Sequence, residues 1–175
     1  SHLHKTSFAG VASTFLLCFL FWILLTWSAD VQELATGAVI SLAVALFSSR
    51  FFIHEKPLWF FNPVKLLNGI YFWLCIFPVE LIKANVDVAK RCFTGCKNVN
   101  PGIVKVPVEL KSLYGQAALA NAITLTPGTI TMEITEEEGQ TYYYIHWIDA
   151  RLPGGEEAGE EIKGRLERGL RRVWE

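Results

Sequence analysis

Ala120-Asn-Ala-Ile-Thr-Leu-Thr-Pro-Gly-Thr-Ile-Thr-Met-Glu-Ile134 is the stretch on which the fold turns. It predicts the end of a helix, a tight turn and a strand. Upstream, Ser112 stands at an N-cap position, and Leu113, Ala117, Ala120 and Thr124 share one helical face, the expected buried stripe. Pro127 sets φ for the second turn position, and Gly128 supplies the positive φ that the third position of a type II turn needs. Thr126 precedes a proline, which drives it out of the helical region and ends the helix there. Beyond the turn, Ile130, Met132 and Ile134 alternate with Thr131, Glu133 and Thr135, so the first three are expected to face inward.

Working outward, Ile103 to Leu110 alternates Val104, Val106, Val108 and Leu110 against Ile103, Lys105, Pro107 and Glu109. Pro107 cannot donate to a ladder, which places this strand at an edge or bulge. Thr141 to Ile148 is a third strand, with Tyr143, Ile145 and Trp147 on one face and Tyr142, Tyr144 and His146 on the other. Glu136-Glu-Glu-Gly-Gln140 is the expected hairpin loop. Glu156 to Trp174 predicts a helix with acids early, bases late, and a stripe of Ile162, Leu166, Leu170 and Val173. The sum is a small α/β domain, β-α-β-β-α, over 103–175, preceded by a turn-rich linker at 94–102. A domain of about 75 residues is near the lower limit for a self-sufficient core.

The other half differs in kind. The chain of 175 residues is 51% hydrophobic yet carries 16 Lys and Arg and 17 Asp and Glu, for a net charge of −1. The long apolar runs lie in 8–82 and most of the charge after it. Residues 1–93 therefore predict an α-helical membrane region with a transmembrane hairpin at 8–53. Phe8 to Trp27 is about 20 residues without a charge, long enough to cross a hydrocarbon core of about 30 Å. A second span follows a short acidic loop of Asp30, Gln32 and Glu33. Its Gly37, Ala38, Ser41, Ala43 and Ala45 suit close helix packing in a membrane.

Residues 58–93 predict an apolar or interfacial helix, interrupted by Asn68, Gly69 and Pro78 and amphipathic from Glu80. Two transmembrane helices with this segment at the interface put Lys5, Arg50, Lys56, Lys83, Lys90 and Arg91 on one side, as the positive-inside rule favours. The apolarity of 66–79 favours three. Either count leaves the C-terminal domain cytoplasmic, on a multi-pass protein of the cell membrane.

Asn121-Ala-Ile-Thr-Leu-Thr-Pro-Gly-Thr129 resembles the signature of E subunits of multisubunit cation/proton antiporters, the Mrp or Mnh family. Glu80-Leu-Ile-Lys-Ala-Asn-Val-Asp-Val-Ala89, Pro101-Gly-Ile-Val104 and Tyr144-Ile-His-Trp-Ile-Asp149 resemble the family's flanking segments, in the same order. The resemblance implies an accessory subunit of an antiporter complex that handles Na+ and H+, with large multi-span and small two- or three-span subunits and the lipid bilayer as partners. Related subunits occur in archaeal membrane-bound hydrogenase and sulfur-reducing complexes, so an equivalent membrane-arm role in a redox-driven complex is the alternative.

The candidate site residues are Glu80, Lys83, Asn85, Asn121, Thr124, Thr126, Pro127, Gly128, Thr129 and His146, read as subunit contacts or signature positions. Glu80 and Lys83 at a membrane boundary suit an ion path, and equally an i,i+3 pair on an interfacial helix. Asp30 and Glu33 suit an outer mouth, and equally a solvated loop. His146 is a titratable group in a strand, where a structural histidine is the commoner finding. Pro127 and Gly128 build the turn, but turn chemistry does not account for the surrounding threonines.

Cys92 and Cys96, with His2 and His4, match no standard zinc spacing, and Cys18 and Cys75 lie in apolar runs. No metal, cofactor or nucleic-acid partner is expected, and no catalytic motif supports an enzyme. A stand-alone membrane-anchored binding module is the third possibility.

Overall fold

The computed structural model describes residues 8–51, 62–96 and 99–175. His2, His4 and Lys5, the hairpin's expected last residues to Ile53, His54, Lys56, the expected helix start at Leu58, and Lys97 of the linker lie outside them. The chain divides into two compact units, Ser1–Asn62 and Pro63–Glu175. Among the described residues, two helices are long and apolar enough to cross a membrane, Val31–Ser48 and Pro63–Phe93, and Gly10–Thr26 is a shorter apolar helix. With the three-stranded antiparallel sheet and the other helices, the chain combines a membrane-type helical region with a small α/β part.

The first unit is a helical hairpin of α1 (Phe8–Thr26) and α2 (Val31–Phe51). Its seam is built from small residues. Gly10, Ser13, Gly37, Ser41 and Ala45 are buried, while Leu20, Phe21, Leu25, Val39 and Phe47 point outward. A Cβ at Gly37 would run into the Trp22 ring, so glycine is what lets the helices close. Trp22 Nε1 then donates to Glu33 O at 3.1 Å across the bend. The hydroxyls of Ser13 and Thr14 donate to Gly10 O, and that of Thr26 to Trp22 O, so the helix satisfies them itself. Large side chains outside and small ones inside is the arrangement expected in lipid, where apolar surface gains nothing by turning inward.

The second unit opens with one continuous helical segment, α3 (Pro63–Tyr71), a π-helical turn (Phe72–Ile76) and α4 (Phe77–Phe93). β1 (Gly102–Val108), α5 (Leu113–Leu125), β2 (Thr129–Glu137), β3 (Gln140–Trp147) and α6 (Gly155–Trp174) follow. The sheet order is β1-β3-β2, with both pairs antiparallel. Pro107 therefore sits on an edge strand, where its missing N–H leaves no gap in the ladder. α5 and α6 both pack against the face carrying Val104, Val106, Val108, Tyr143 and Ile145, all buried.

Two expected faces are corrected. On α5, the buried residues are Gly115, Leu119, Ala122 and Ile123, while Leu113, Ala117 and Thr124 are exposed and Ala120 is half-buried. The small side chains of the other stripe leave room for α6, and Trp174 stacks on Tyr114 and packs over Gly115. On β2, a bulge between Thr131 and Glu133 shifts the register by one. Thr131 pairs with Ile145 and Ile134 with Tyr143 on the inner face, whereas Ile130 pairs with His146 on the outer. Ile130 and Met132 are accordingly 49% and 60% exposed. The hairpin is also tighter than the expected loop, because Glu138 and Gly139 alone connect the strands, both at positive φ.

α6 is used on two sides. Gly159 touches Val106 of the sheet, and Gly169 receives Phe72 from the π-helical turn, where a Cβ would lie 2.7 Å from the ring. Asn68 Nδ2 donates to Arg172 O at 3.1 Å and Lys65 Nζ to Trp174 O at 3.5 Å, so α3 caps the C-terminal carbonyls of α6. Gly169→Leu should overpack this contact and destabilise the protein by about 1–3 kcal/mol. A thermal unfolding scan of the purified variant in detergent checks this; an unchanged Tm would contradict the packing.

Candidate functional site

The signature turn is explained by what a helix end leaves unpaired. The last carbonyls of α5 have no helical amide to accept from. The Thr126 hydroxyl donates to Ile123 O at 2.6 Å. The Thr129 hydroxyl reaches the same oxygen at 2.8 Å and lies 2.9 Å from Thr126 Oγ1. Thr131 Oγ1 donates to Ala120 O at 3.3 Å, and Thr124 Oγ1 accepts from Thr131 N at 3.2 Å. The threonines are thus a cap that hands the chain from helix to strand. Thr126 has extended backbone, and Thr129 N closes the turn on Thr126 O at 3.4 Å.

Pro127 sets the turn, and Gly128 holds φ +90°. A Cβ at Gly128 would lie 2.9 Å from Ile148 Cγ2 and 3.5 Å from Val88 Cγ2. Ile148 N donates to Gly128 O at 2.9 Å. The turn is therefore pressed against the end of β3 and against α4, and the three elements meet at one junction.

An ion-pair clamp that sequence reasoning missed secures the same junction. Asp149, with a side chain only 6% exposed, pairs with Arg91 of α4 at 2.8 Å and with Arg151. Arg91 also binds Asp87 at 2.7 Å. Arg151 first, then Arg91, hold the Asp149 carboxyl below the usual carboxylate range, against the opposing effect of burial. The available signal was Asp149 at the end of a flanking segment, but nothing in the sequence paired it with a residue so far upstream.

A second missed pair is buried inside α6. Lys163 and Glu167 form an ion pair, and Glu167 Oε1 accepts from Glu109 N at 2.6 Å and Leu110 N at 3.4 Å. It thereby satisfies the chain where β1 ends. Tyr143 OH donates to Gln116 O at 2.7 Å, and burial, followed by the Glu167 charge, raises its ionisation above the ordinary tyrosine range.

The remaining candidates do not converge on a reaction centre. Glu80 binds Lys83 at 3.0 Å and Arg165 of α6 at 2.9 Å. Asn85 Nδ2 donates to Leu81 O one turn back. Asn121 is exposed on α5, beside exposed Thr124 and Leu125. His146 lies on the outer face of the sheet, between Ile103 and Ile130. Cys92 and Cys96 are exposed and free. Asp30 lies between α1 and α2, and Glu33 is in the first turn of α2. Among the described residues, no group of three or more His, Cys, Asp or Glu is placed to hold a metal ion.

Two expectations follow. The double change Thr126→Val and Thr129→Val keeps shape but removes the cap hydroxyls, and should cost about 1–3 kcal/mol of stability, read by thermal unfolding. For Asp149, a depressed folded value means that its contribution is present above the ordinary aspartate value near 3.9 and is lost as pH falls through the lower, folded value. Asp149→Asn should therefore destabilise the protein at pH 7 and flatten the acid limb of its stability–pH curve. An acid limb as steep as before would contradict the clamp.

Residues 15–173 match the family model described as Na+/H+ ion antiporter subunit, MNHE. The chain is 34% identical over 161 residues to the E1 subunit of the Na(+)/H(+) antiporter of Staphylococcus haemolyticus (strain JCSC1435), covering 92% of this chain and 94% of that protein. It is 33% identical over 153 residues to the E subunit of the Na(+)/H(+) antiporter of Bacillus subtilis (strain 168), covering 87% and 90%. A chain in the structure of the membrane-bound sulfane sulfur reductase, an archaeal respiratory membrane complex, is 38% identical with a TM-score of 0.77, over 94% of this chain and 99% of that one. An apolar hairpin joined to an α/β unit whose motif residues cap and clamp rather than react accords with these matches: the chain belongs to the family of Na+/H+ antiporter E subunits.

Proposed function

We propose that this chain is an accessory integral-membrane subunit of a multisubunit Na+/H+ antiporter complex, serving assembly and ion transport without forming the main ion path. The observation that carries the reading is the family match over residues 15–173, joined to how the charges are used. α1 has no charged side chain, and Glu80, the acid nearest the apolar stretch of the second unit, is engaged by Lys83 and Arg165. A conduction path needs ionisable groups at membrane depth that are free to exchange ions. Larger partner subunits supply that path on this reading.

The α1–α2 hairpin anchors the chain in the cell membrane, and the α/β unit stands on the cytoplasmic side. The positive-inside rule supports a cytoplasmic place for Lys83, Lys90 and Arg91. Exposed Asn121 and Leu125 are the part of the motif the fold does not consume, and they are assigned to a neighbouring subunit together with the exposed side of Thr124. Lys83, Asn85 and His146 are exposed or half-exposed positions available to the same purpose.

The 38% identity to a chain of an archaeal respiratory complex favours a second reading, the same part in a redox-driven membrane machine. Deleting the gene and measuring Na+-driven ΔpH in everted vesicles tests the first. Loss of antiport together with loss of the assembled complex is the expected result; full antiport from an intact complex lacking this chain would overturn it. Copurification of redox subunits with a tagged copy would select the second.

A further inference from the structure

We infer that the helix from Pro63 to Phe93 lies along the cytoplasmic membrane surface, with its outer apolar face set into the lipid interface and α6 riding on its other side. This rests on the anchoring role proposed above for the hairpin.

Three observations carry it. The first is a two-faced helix. Lys65, Asn68, Gly69 and Phe72 are turned to α6, whereas Leu67, Ile70 and Ile82 are 65%, 47% and 62% exposed. In an unbroken α-helix, residues on α3 and α4 would drift out of phase. The π-helical turn absorbs one extra residue and so takes about 100°, one residue's angular step, out of that drift. Ile82 thereby falls in line with Leu67, and Glu80 and Arg91 fall on the α6 side with Phe72.

The second is what lies alongside. α6 runs antiparallel to this helix, from the Asn68–Arg172 contact to the Glu80–Arg165 pair. It carries exposed Arg165, Arg168, Arg171 and Arg172 along the very length that is apolar in its neighbour. A helix with that many guanidinium groups does not enter hydrocarbon, so the segment it covers cannot cross. The helix as a whole is long enough to cross, but its apolar part, Val64 to Val79, spans about 24 Å at 1.5 Å per residue, short of a core of about 30 Å.

The third is reach. α2 ends at Phe51 and α3 begins at Pro63, so the chain between them extends at most about 40 Å. A helix with a continuous apolar face, Trp73 and Tyr71 among its exposed aromatics, and a polar opposite face is tethered close to a bilayer. Lipid is the occupant that requires no further component.

The test uses single nitroxide labels in the complex purified from native membranes and reconstituted in liposomes. Leu67→Cys, Ile70→Cys and Ile82→Cys are compared, in a background with the native cysteines replaced by serine, by their collision with oxygen and with a water-soluble nickel chelate. Val39→Cys on α2 and Leu20→Cys on α1 are the anchoring controls. The three helix labels should lie at one shallow depth, within about 5 Å of each other as expected for a helix in the interface plane, and the controls deeper. A spanning helix would separate Leu67 and Ile82 by about 22 Å in depth and overturn it. Labels shielded from both reagents would overturn it in favour of a protein neighbour. Controls that fail to reach the hydrocarbon would instead sink the anchoring reading, and this inference with it.

Discussion

The last turn of α5 leaves carbonyl oxygens that no helical amide can reach, and much of the second unit depends on how they are answered. Thr126 and Thr129 supply hydroxyls to Ile123 O, which also accepts from Thr126 N, and Thr131 adds one to Ala120 O one turn earlier in the helix. The chain can then turn through Pro127 and Gly128 and enter β2 without a stranded acceptor. Because Gly128 is drawn under Ile148 and Val88, the same turn locates the end of β3 and the flank of α4. Asp149 and Arg91 close the junction with charge. The motif is a joint whose chemistry is used up in holding elements together.

α6 extends this logic across the unit. One side meets the sheet through Gly159 and Val106, and another accepts Phe72 against Gly169. Between them the buried Lys163–Glu167 pair serves the backbone where β1 ends. An isolated buried ion pair contributes little net stability, because desolvation offsets attraction. Here the carboxylate also accepts two backbone amides, so its value lies in fixing the exit of β1 relative to α6. The hairpin of the first unit follows the opposite rule, with glycine, serine and alanine in its seam and leucine, phenylalanine and valine outside. One chain therefore obeys two solvents.

What the sequence discloses depends on the range of the interaction. Pro127 and Gly128 act within their own turn, and the helix–turn–strand at 113–137 is legible from them. Pro107 announces an edge strand because a missing donor is a local fact. The stripe of Leu166, Leu170 and Val173 is legible because α6 is polar elsewhere. The face of α5 is not, because alanine-rich helices give weak periodicity: Ala117 and Ala120 look as buried as Ala122. The inner face of β2 is hidden because a bulge is a backbone event, and nothing in Thr131-Met132-Glu133 marks it. The Asp149–Arg91 clamp and the Glu167 cap are invisible for a further reason. Their partners are far apart in sequence, and only folding decides which acid meets which base. The threonine cluster is conspicuous in the sequence but makes sense only once the carbonyls it faces are known.

The π-helical turn at Phe72–Ile76 has a consequence for how this chain tolerates change in length. A helix that must satisfy contacts at both ends behaves like a screw cut to a given phase. Lys65, Asn68 and Phe72 set the phase at the start, and Glu80, Val88 and Arg91 at the finish. Removing a single residue at the turn would let it relax to ordinary helix with the downstream phase kept, whereas removing one while the turn persists would swing everything downstream by about 100° relative to what lies upstream. Adding one would turn the downstream part by about 100° unless a second such turn absorbed it. Substitutions along this segment are filtered by size and polarity, but insertions and deletions are filtered by geometry. What the contacts at the two ends hold fixed is the phase between Phe72 and Arg91, and the turn lets one residue more or fewer be carried at that same phase.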